Sequence, residues 1–268
     1  MPRISKRDLI LESIIRAYLE ENLPIGSSEL GQRMREEIPA STIRVYFKKL
    51  SDEGELTQLH VSGGRIPTEN AMRQYWNERL NTKEPLIIKN LEAFRGLVER
   101  YELYCSINEN SEAKLDEILN VANRYLLLLI GADQVVLNYN DKVARFLPNI
   151  LGADIKELQE ISAQVGLYEL YDKVESLVAQ KVLFKEGEMT VYEMVKNSKQ
   201  PSNTIRLILD PSFPSSLTDG LYFEDILPDG YMAVKKPAIF EGKEVSMFCL
   251  GGLYTDFESF FEKIKEEA

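Results

Sequence analysis

The run GELTQLHVSGGRIPTENAMRQYW, at positions 54–76, decides the fold of the N-terminal part of this chain. Residues 55–61 have the composition of a strand, Ser62-Gly63-Gly64 is a tight-turn signal, and residues 65–67 form the returning strand. Thr68 is a favourable N-cap for the helix that follows. That helix has apolar residues at helical spacing, namely Met72, Tyr75, Trp76 and Leu80. The stretch therefore predicts a β-hairpin followed directly by a helix.

Three helices are predicted before this hairpin. The first covers about residues 6–21 and begins at a capping-box pattern, Ser5 to Asp8. Ser27 or Ser28 can cap a short second helix, and the third begins near Ser41. The apolar residues that share one face of each helix are, in order, Leu11, Ile14, Ile15, Tyr18 and Leu19; Leu30 and Met34; and Ile43, Phe47 and Leu50. Three helices and a hairpin in this order predict a winged helix-turn-helix, a DNA-binding module.

The side of the third helix opposite its apolar stripe is basic and has no acidic residue. Arginine can contact guanine through two parallel hydrogen bonds, and lysine and hydroxyl groups bind phosphate. An ordinary solvated basic face explains the helix alone equally well, but the hairpin that follows favours DNA recognition. The predicted DNA contacts are Ser41, Thr42, Arg44, Val45, Lys48 and Lys49 on the helix and His60, Ser62, Gly63, Gly64 and Arg65 in the hairpin.

The net charge of −11 is unusual for a nucleic-acid-binding protein, but its distribution along the chain is uneven. Residues 1–80 contain 12 Lys and Arg and 12 Asp and Glu, whereas residues 81–268 contain 20 basic and 31 acidic residues. Because the acidic second part would repel DNA, we expect the two parts to have separate roles. The first part would bind DNA, and the second would serve assembly or sensing.

No catalytic or metal-binding constellation is evident in the sequence. Cys105 and Cys249 lack a CxxC spacing and are predicted to be small buried apolar residues. His60 is the only histidine, and Gly251-Gly252 belongs to no phosphate-loop motif, so a tight turn is the better interpretation. We therefore expect no enzyme activity and no cofactor. With neither a secretory signal nor an apolar run long enough to span a bilayer, the sequence predicts a cytoplasmic protein.

The second part is expected to be an α+β domain of residues 83–268, separated from residues 1–82 by a polar linker that ends at Pro85. A helix is predicted from Leu115 to about Ile130, with Gly131 as its stop. The other predicted elements are a strand at 134–139, helices within 154–180, strands at 231–234 and 245–250, and a last helix that begins at a capping box of Thr255 and Glu258.

The run at 54–76 resembles the wing of the heat-inducible transcription repressor family HrcA, in which an S-x-G-R-I-P-T element recurs. The resemblance extends to Leu23-Pro24-Ile25-Gly26-Ser27 and to Ser41-Thr42-Ile43-Arg44, and it covers about residues 5–80. Val45 and Tyr46 stand where the family commonly has an asparagine and an acidic residue, and Pro39-Ala40 changes the lead-in to the helix. These differences leave open whether the operator is read through the same contacts.

The resemblance implies a repressor of heat-shock genes that binds an inverted-repeat operator as a homodimer and is modulated by the chaperonin GroEL. It also implies that the second part is a GAF-like domain with a mainly helical, inserted dimerisation segment, here at about residues 150–200. One alternative is a regulator that senses a small molecule in the GAF-like domain. Another is an enzyme in the acidic part that uses the first part for recruitment.

Overall fold

The computed structural model of this chain is a mixed α+β structure. It describes residues 5–34, 38–58, 63–109, 113–179, 182–196, 208, 213–214, 217–224 and 226–268. Within these ranges, no helix combines the length and the apolar character needed to cross a bilayer.

The N-terminal elements, which we call the head, are four helices and a short hairpin. They are α1 (Lys6–Glu21), α2 (Ser27–Arg33), α3 (Ala40–Asp52), β1 (Leu56–Thr57), β2 (Ile66–Pro67) and α4 (Glu69–Arg79). The predicted helices and strands are present in the predicted order. β1 pairs antiparallel with β2, so that Leu56 lies opposite Pro67. The first three helices share a core that includes Ile14, Leu30 and Ile43, all fully buried.

Of the three helix caps predicted in the head, two are confirmed and one is wrong. The Ser5 hydroxyl accepts the Asp8 N–H at 3.2 Å, and the Thr68 hydroxyl accepts the Ala71 N–H at 3.3 Å. The second helix instead begins after Gly26 and has no side-chain cap. Ser27 is therefore the first residue inside that helix, and its hydroxyl is available for another contact.

The second part is built on an antiparallel main sheet with one parallel edge strand. Its strands are β3 (Leu86–Ile88), β4 (Tyr104–Glu109), β8 (Val182–Glu186), β9 (Gly220–Tyr222), β10 (Tyr231–Phe240) and β11 (Lys243–Gly252). The order is β3-β10-β11-β4-β8, with β9 also paired to β10, and β3 runs parallel to β10. The strands predicted near positions 231 and 245 are thus confirmed as a long central hairpin.

Helices cover both faces of the main sheet. They are α5 (Leu91–Arg100), α9 (Glu188–Lys196) and the last helix, which we call α10 (Phe257–Glu267). The last helix is confirmed, but its predicted cap is wrong, because Asp256 is the N-cap and accepts the Ser259 N–H at 3.0 Å. Cys105 and Cys249 are fully buried opposite each other on β4 and β11, as the sequence predicts for small apolar residues.

The chain between β4 and β8 forms a smaller unit, which we call the insert (residues 113–179). Its elements are β5 (Leu115–Val121), β6 (Tyr125–Ile130), β7 (Asp133–Asn138), α6 (Asp141–Phe146), a 3-10 helix (Leu147–Ile150), α7 (Ile155–Gln164) and α8 (Tyr168–Ala179). The insert begins earlier than the predicted segment at about residues 150–200, and beside its helices it contains a three-stranded antiparallel sheet with a core of its own. The strand predicted at 134–139 and the helices within 154–180 are confirmed.

The helix predicted over residues 115–130 is wrong. A tight turn divides this stretch, since Ala122 and Asn123 both have φ near 55° and the Arg124 N–H donates to the Val121 carbonyl at 3.0 Å. Positive φ at both central residues is the geometry of a hairpin turn whose twist suits paired strands. The Asn120 side chain also accepts the Asn123 N–H at 2.9 Å, which further stabilises the turn. The apolar residues on either side therefore pair as β5 and β6.

Candidate nucleic-acid interface

The basic face of α3 is exposed, and we call it the recognition face. Ile43, Phe47 and Leu50 are buried against α1 and α2, which turns the opposite side of the helix outward. Ser41, Arg44, Val45, Lys48 and Lys49 are exposed, and Thr42 is partly exposed. The structure thus brings all six helical residues of the predicted site onto one surface. Its arginine and lysine side chains can reach both a base edge and a phosphate.

Arg44 is held in place by the second helix. Its Nε donates a hydrogen bond to Ser27 Oγ at 3.0 Å. This bond uses only one of the guanidinium N–H groups, and the two terminal nitrogens can still form a bidentate contact. The sequence predicts Ser27 only as a possible cap, and no local pattern signals this contact across 17 positions. We regard Ser27 as a positioning residue for Arg44.

Two other residues of the recognition face, Lys49 and Val45, differ in their surroundings. Lys49 Nζ lies 3.9 Å from Oε1 of Glu53, the residue that follows α3, and part of its charge is thereby offset. Val45 is 67% exposed. Its methyl groups can contact the methyl of thymine.

The base of the hairpin is fixed to the turn between α1 and α2. Arg65 and Ile25 exchange both backbone hydrogen bonds, at 2.9 and 3.0 Å. A Cβ on Gly64 would lie 2.6 Å from the Ile25 carbonyl carbon and oxygen, so only glycine fits here. The Gln58 amide donates to the Gly63 carbonyl at 3.0 Å and bridges the two arms. The close approach at Gly64 is therefore to the protein's own backbone.

Of the three remaining hairpin residues of the predicted site, the structure describes only Arg65. Arg65 is half-buried, and its Nε is enclosed without a hydrogen-bond partner in the described part of the chain. His60 and Ser62 lie outside the described residues.

The head is joined to the main-sheet unit through α4. Trp76 is fully buried, and its Nε1 donates to the Leu253 carbonyl at 2.8 Å, just after β11. The Tyr254 hydroxyl donates to the Pro67 carbonyl at 3.0 Å, and its ring meets that of Tyr18 edge-on. Arg79 forms an ion pair with Glu258 of α10 at 2.7 Å. We call these contacts the joint.

The pKa values are raised for Tyr254 of the joint and for the neighbouring Tyr75, whose hydroxyl donates to Glu258 Oε2 at 3.3 Å. Burial and the Glu258 carboxylate raise the pKa of Tyr75 to about 12. Burial, together with the negative charge of Glu69, raises the pKa of Tyr254 to about 12. Both hydroxyls therefore stay protonated as hydrogen-bond donors at any physiological pH.

A second exposed surface lies on the insert, and we call it the outer face. One side of the β5-β6-β7 sheet packs on the helices, whereas the other presents Leu119, Val121, Tyr125, Leu127, Leu129 and Val136. Leu127 has Leu119 and Val136 as its neighbours on either side. Leu119, Val121, Tyr125 and Val136 are 38–48% exposed. The sequence pattern does not indicate this surface, because the residues of β5 and β6 are predicted from it to form a helix.

Comparison with known proteins gives matches over both parts of the chain. A family model described as HrcA C-terminal domain matches residues 76–268. The heat-inducible transcription repressor HrcA of Helicobacter pylori (strain ATCC 700392 / 26695) is 30% identical over 264 residues, which are 98% of this chain and 96% of that repressor. The repressor of the same name from Protochlamydia amoebophila is 39% identical over 114 residues, 41% of this chain and 29% of the relative. These relatives are named as transcription repressors and not as enzymes.

A solved structure of a hypothetical protein aligns over 99% of this chain and 97% of its own, with 21% identity and a TM-score of 0.49. Because that identity and TM-score are low, the family relationship rests on the family model and on the relative that matches nearly the whole chain.

Proposed function

This chain belongs to the HrcA family of heat-inducible transcription repressors, and we propose that it represses heat-shock chaperone genes by binding an inverted-repeat operator as a homodimer. The observation that carries the proposal is the recognition face, an exposed helix surface with one arginine and two lysines and no acidic residue. It lies in a chain whose net charge is −11. A surface of this kind suits the phosphates and base edges of a major groove.

The head serves as a winged helix-turn-helix in this proposal, with α3 as its recognition helix and the β1–β2 hairpin as its wing. Residues 1–82 are the DNA-binding domain, and residues 83–268 are a GAF-like regulatory domain. Arg44 reads a base edge, and Lys48, Lys49 and Arg65 contact phosphates. Ser41, Thr42, Val45 and the hairpin residues His60, Ser62, Gly63 and Gly64 complete the contact surface.

The outer face supports the homodimer. An apolar sheet face of this kind loses unfavourable water contact when it packs on a second copy. Inverted repeats are matched by two-fold symmetric proteins, in which the same patch of each subunit meets its counterpart. We propose that the insert is the dimerisation segment and that the outer face forms its centre.

The remaining parts of the proposal rest on family membership. GroEL would help the repressor reach or keep its active fold, so that unfolded proteins competing for chaperonin relieve repression. Because the operator lies on the chromosome, the protein would act in the cytoplasm.

The proposal is tested by fluorescence-anisotropy binding of the purified chain to an inverted-repeat heat-shock operator and to a scrambled duplex. The salt concentration is varied, and each series is run with and without chaperonin. We expect tight, salt-sensitive binding to the operator, at least about 1,000-fold stronger than to the scrambled duplex. Equal and weak binding to both duplexes, also with chaperonin, would contradict the proposal.

A further inference from the structure

Arg7, in the first turn of α1, holds a group of carboxylates beside the recognition face. Its Nε and Nη2 both lie 2.8 Å from Glu53 Oε2, and Nη2 also lies 3.2 Å from Glu55 Oε1. Its Nη1 donates to Asp8 Oδ1 at 2.9 Å. A single guanidinium group thus pairs with a carboxylate on α1, one just after α3 and one just before β1.

Two of these carboxylates also act on Lys49 of the recognition face. Lys49 Nζ lies 3.9 Å from Glu53 Oε1, whereas Arg7 holds Oε2 of the same carboxylate. The pKa of Asp8 lies below its usual value, chiefly because Ser5 and Arg7 hydrogen-bond the carboxylate. The positive charge of Lys49 lowers this pKa further. Lys49 therefore lies within the electrostatic influence of both Glu53 and Asp8.

The ion pairs of Arg7 are partly shielded from water. The side chains of Arg7, Glu53 and Glu55 are 29%, 34% and 12% exposed. Ion pairs on an open surface are weakened by water and salt, whereas partly buried pairs are screened less. We therefore expect Arg7 to keep its hold on Glu53 at the salt concentrations used for DNA binding.

The balance of charge in this group depends on Arg7. Asp8, Glu53 and Glu55 are negative, and Arg7 and Lys49 together leave the group with a single uncompensated negative charge. Without Arg7, all three carboxylates would surround one lysine. Opposite charges a few ångströms apart attract, so Glu53 would draw Lys49 into a full ion pair. The remaining negative charge would repel an approaching phosphate.

We propose that Arg7 is a positioning residue for DNA binding, which engages the Glu53 and Asp8 carboxylates so that Lys49 is free to bind a phosphate. In this role Arg7 acts through Glu53 and does not itself contact DNA. The role rests on the proposed DNA binding, and it belongs to a residue outside both the recognition face and the hairpin.

The test is fluorescence-anisotropy titration of the full chain and its variants on the operator and on a scrambled duplex, over a salt series. Arg7→Gln should weaken binding to both duplexes by a similar factor of about 5, as for the loss of one favourable charge pair. The slope of log K against log salt should become shallower by up to about 0.9, because Lys49 no longer neutralises a phosphate. Unchanged affinity and slope would overturn the proposal.

Two further backgrounds test whether Arg7 acts through Glu53 and Lys49. Combining Arg7→Gln with Glu53→Gln should restore binding to within about 2-fold of the parent, because the carboxylate that captures Lys49 is gone. In a Lys49→Ala background, Arg7→Gln should change binding by no more than about 2-fold. An undiminished loss in both backgrounds would mean that Arg7 contacts DNA itself or only supports the fold, and the proposal would fail.

Arg33→Gln is the matched control. The Arg33 side chain is 30% exposed and also pairs with three carboxylates, which lie on α1 and α2, namely Glu20, Glu21 and Glu29. The same change of charge there should leave DNA binding within about 2-fold of the parent, as expected for an independent site. Thermal unfolding of each variant separates loss of the contact from loss of the fold. Equal losses for Arg33→Gln and Arg7→Gln would reduce the effect to net charge and contradict the assignment.

The parent protein separates this proposal from the repressor proposal. If the parent binds the operator tightly and Arg7→Gln binds it equally well, the role of Arg7 is refuted and the repressor proposal stands. If the parent binds neither duplex, both are refuted.

Discussion

The recognition face of α3 and the outer face of the insert are both exposed, but they differ in chemistry. The first presents Arg44, Lys48 and Lys49 around a single apolar residue, Val45. The second presents six apolar side chains in three adjacent strands. A basic polar surface stays hydrated until it meets a polyanion, whereas an apolar surface is favoured by removal from water. The comparison separates the proposed DNA-binding surface from the proposed dimer surface.

The largest expected effect is on the outer face. Val136→Asp would place a carboxylate at the centre of the proposed interface, where burying an unpaired charge costs several kcal/mol. We expect dimer dissociation to become easier by about 100-fold or more, and operator affinity to fall with it. Sedimentation velocity over a concentration series measures the shift. Val165→Asp, at an exposed valine after α7, is the control, and an equal loss of dimer there would contradict the assignment.

On the recognition face, Arg44→Ala should produce the next largest effect. Removing a bidentate base contact costs about 1–3 kcal/mol of operator binding and little binding to random DNA. Ser27→Ala should reproduce part of this effect, since it removes the hydrogen bond that orients Arg44. Anisotropy titrations on operator and random duplexes measure both. Equal weakening on the two duplexes would exclude Arg44 as a base-reading residue.

Lys48→Ala and Arg65→Ala should have smaller and less specific effects. Each removes a proposed phosphate-binding cation, so binding to all sequences should weaken evenly. The slope of log K against log salt should become shallower by about 0.9 for each phosphate that is no longer neutralised. Lys142→Ala, at an exposed lysine of α6 in the insert, is the matched control. An unchanged slope in the head variants would show that these residues do not neutralise phosphates.

The smallest effect is expected at the joint. Tyr254→Phe removes the hydrogen bond to the Pro67 carbonyl, at a cost of about 0.5–1.5 kcal/mol in the free energy of unfolding. Because burial raises the pKa of Tyr254 to about 12, the unfolded state ionises first. The stability contributed by the neutral hydroxyl is complete below pH 10 and is lost as pH rises towards 12.

Urea unfolding at pH 8, 9, 10 and 11 measures this dependence. The parent protein should lose more stability over the upper part of that range than Tyr254→Phe does. Tyr125→Phe, on the exposed outer face, should behave like the parent. Parallel pH profiles for Tyr254→Phe and the parent would show that the Tyr254 hydroxyl does not contribute to the joint.

The sequence is sufficient to predict the head because its signals are local. Pro24 and Gly26 interrupt the chain between helices, and the apolar residues of α3 recur at helical spacing, so the exposed side of that helix follows from its buried side. The resemblance of the wing element then identifies the family. The elements of the head are thus predicted by residues that are close together in the sequence.

The second part is less predictable because its structure depends on distant contacts. The run Tyr125–Ile130 is apolar throughout and fits a helix or a strand equally, and the deciding turn at Ala122 and Asn123 has only a weak sequence signal. Helical spacing correctly predicts Trp76 as an inward residue, but its partner at Leu253 is 177 positions away.

The joint also has a consequence for the spacing of the two halves of an operator. Because Trp76 is embedded in the core that holds the main sheet, the head is fixed to the main-sheet unit and cannot swing freely on a tether. In the proposed homodimer, the two fixed heads could meet only half-sites that lie at one separation and on one side of the duplex. Adding about five base pairs between the half-sites rotates one of them by half a turn of B-DNA, out of reach of its head. Adding a full turn returns the half-site to the same side of the duplex but lengthens the separation. A repressor with fixed heads should therefore bind neither altered operator well.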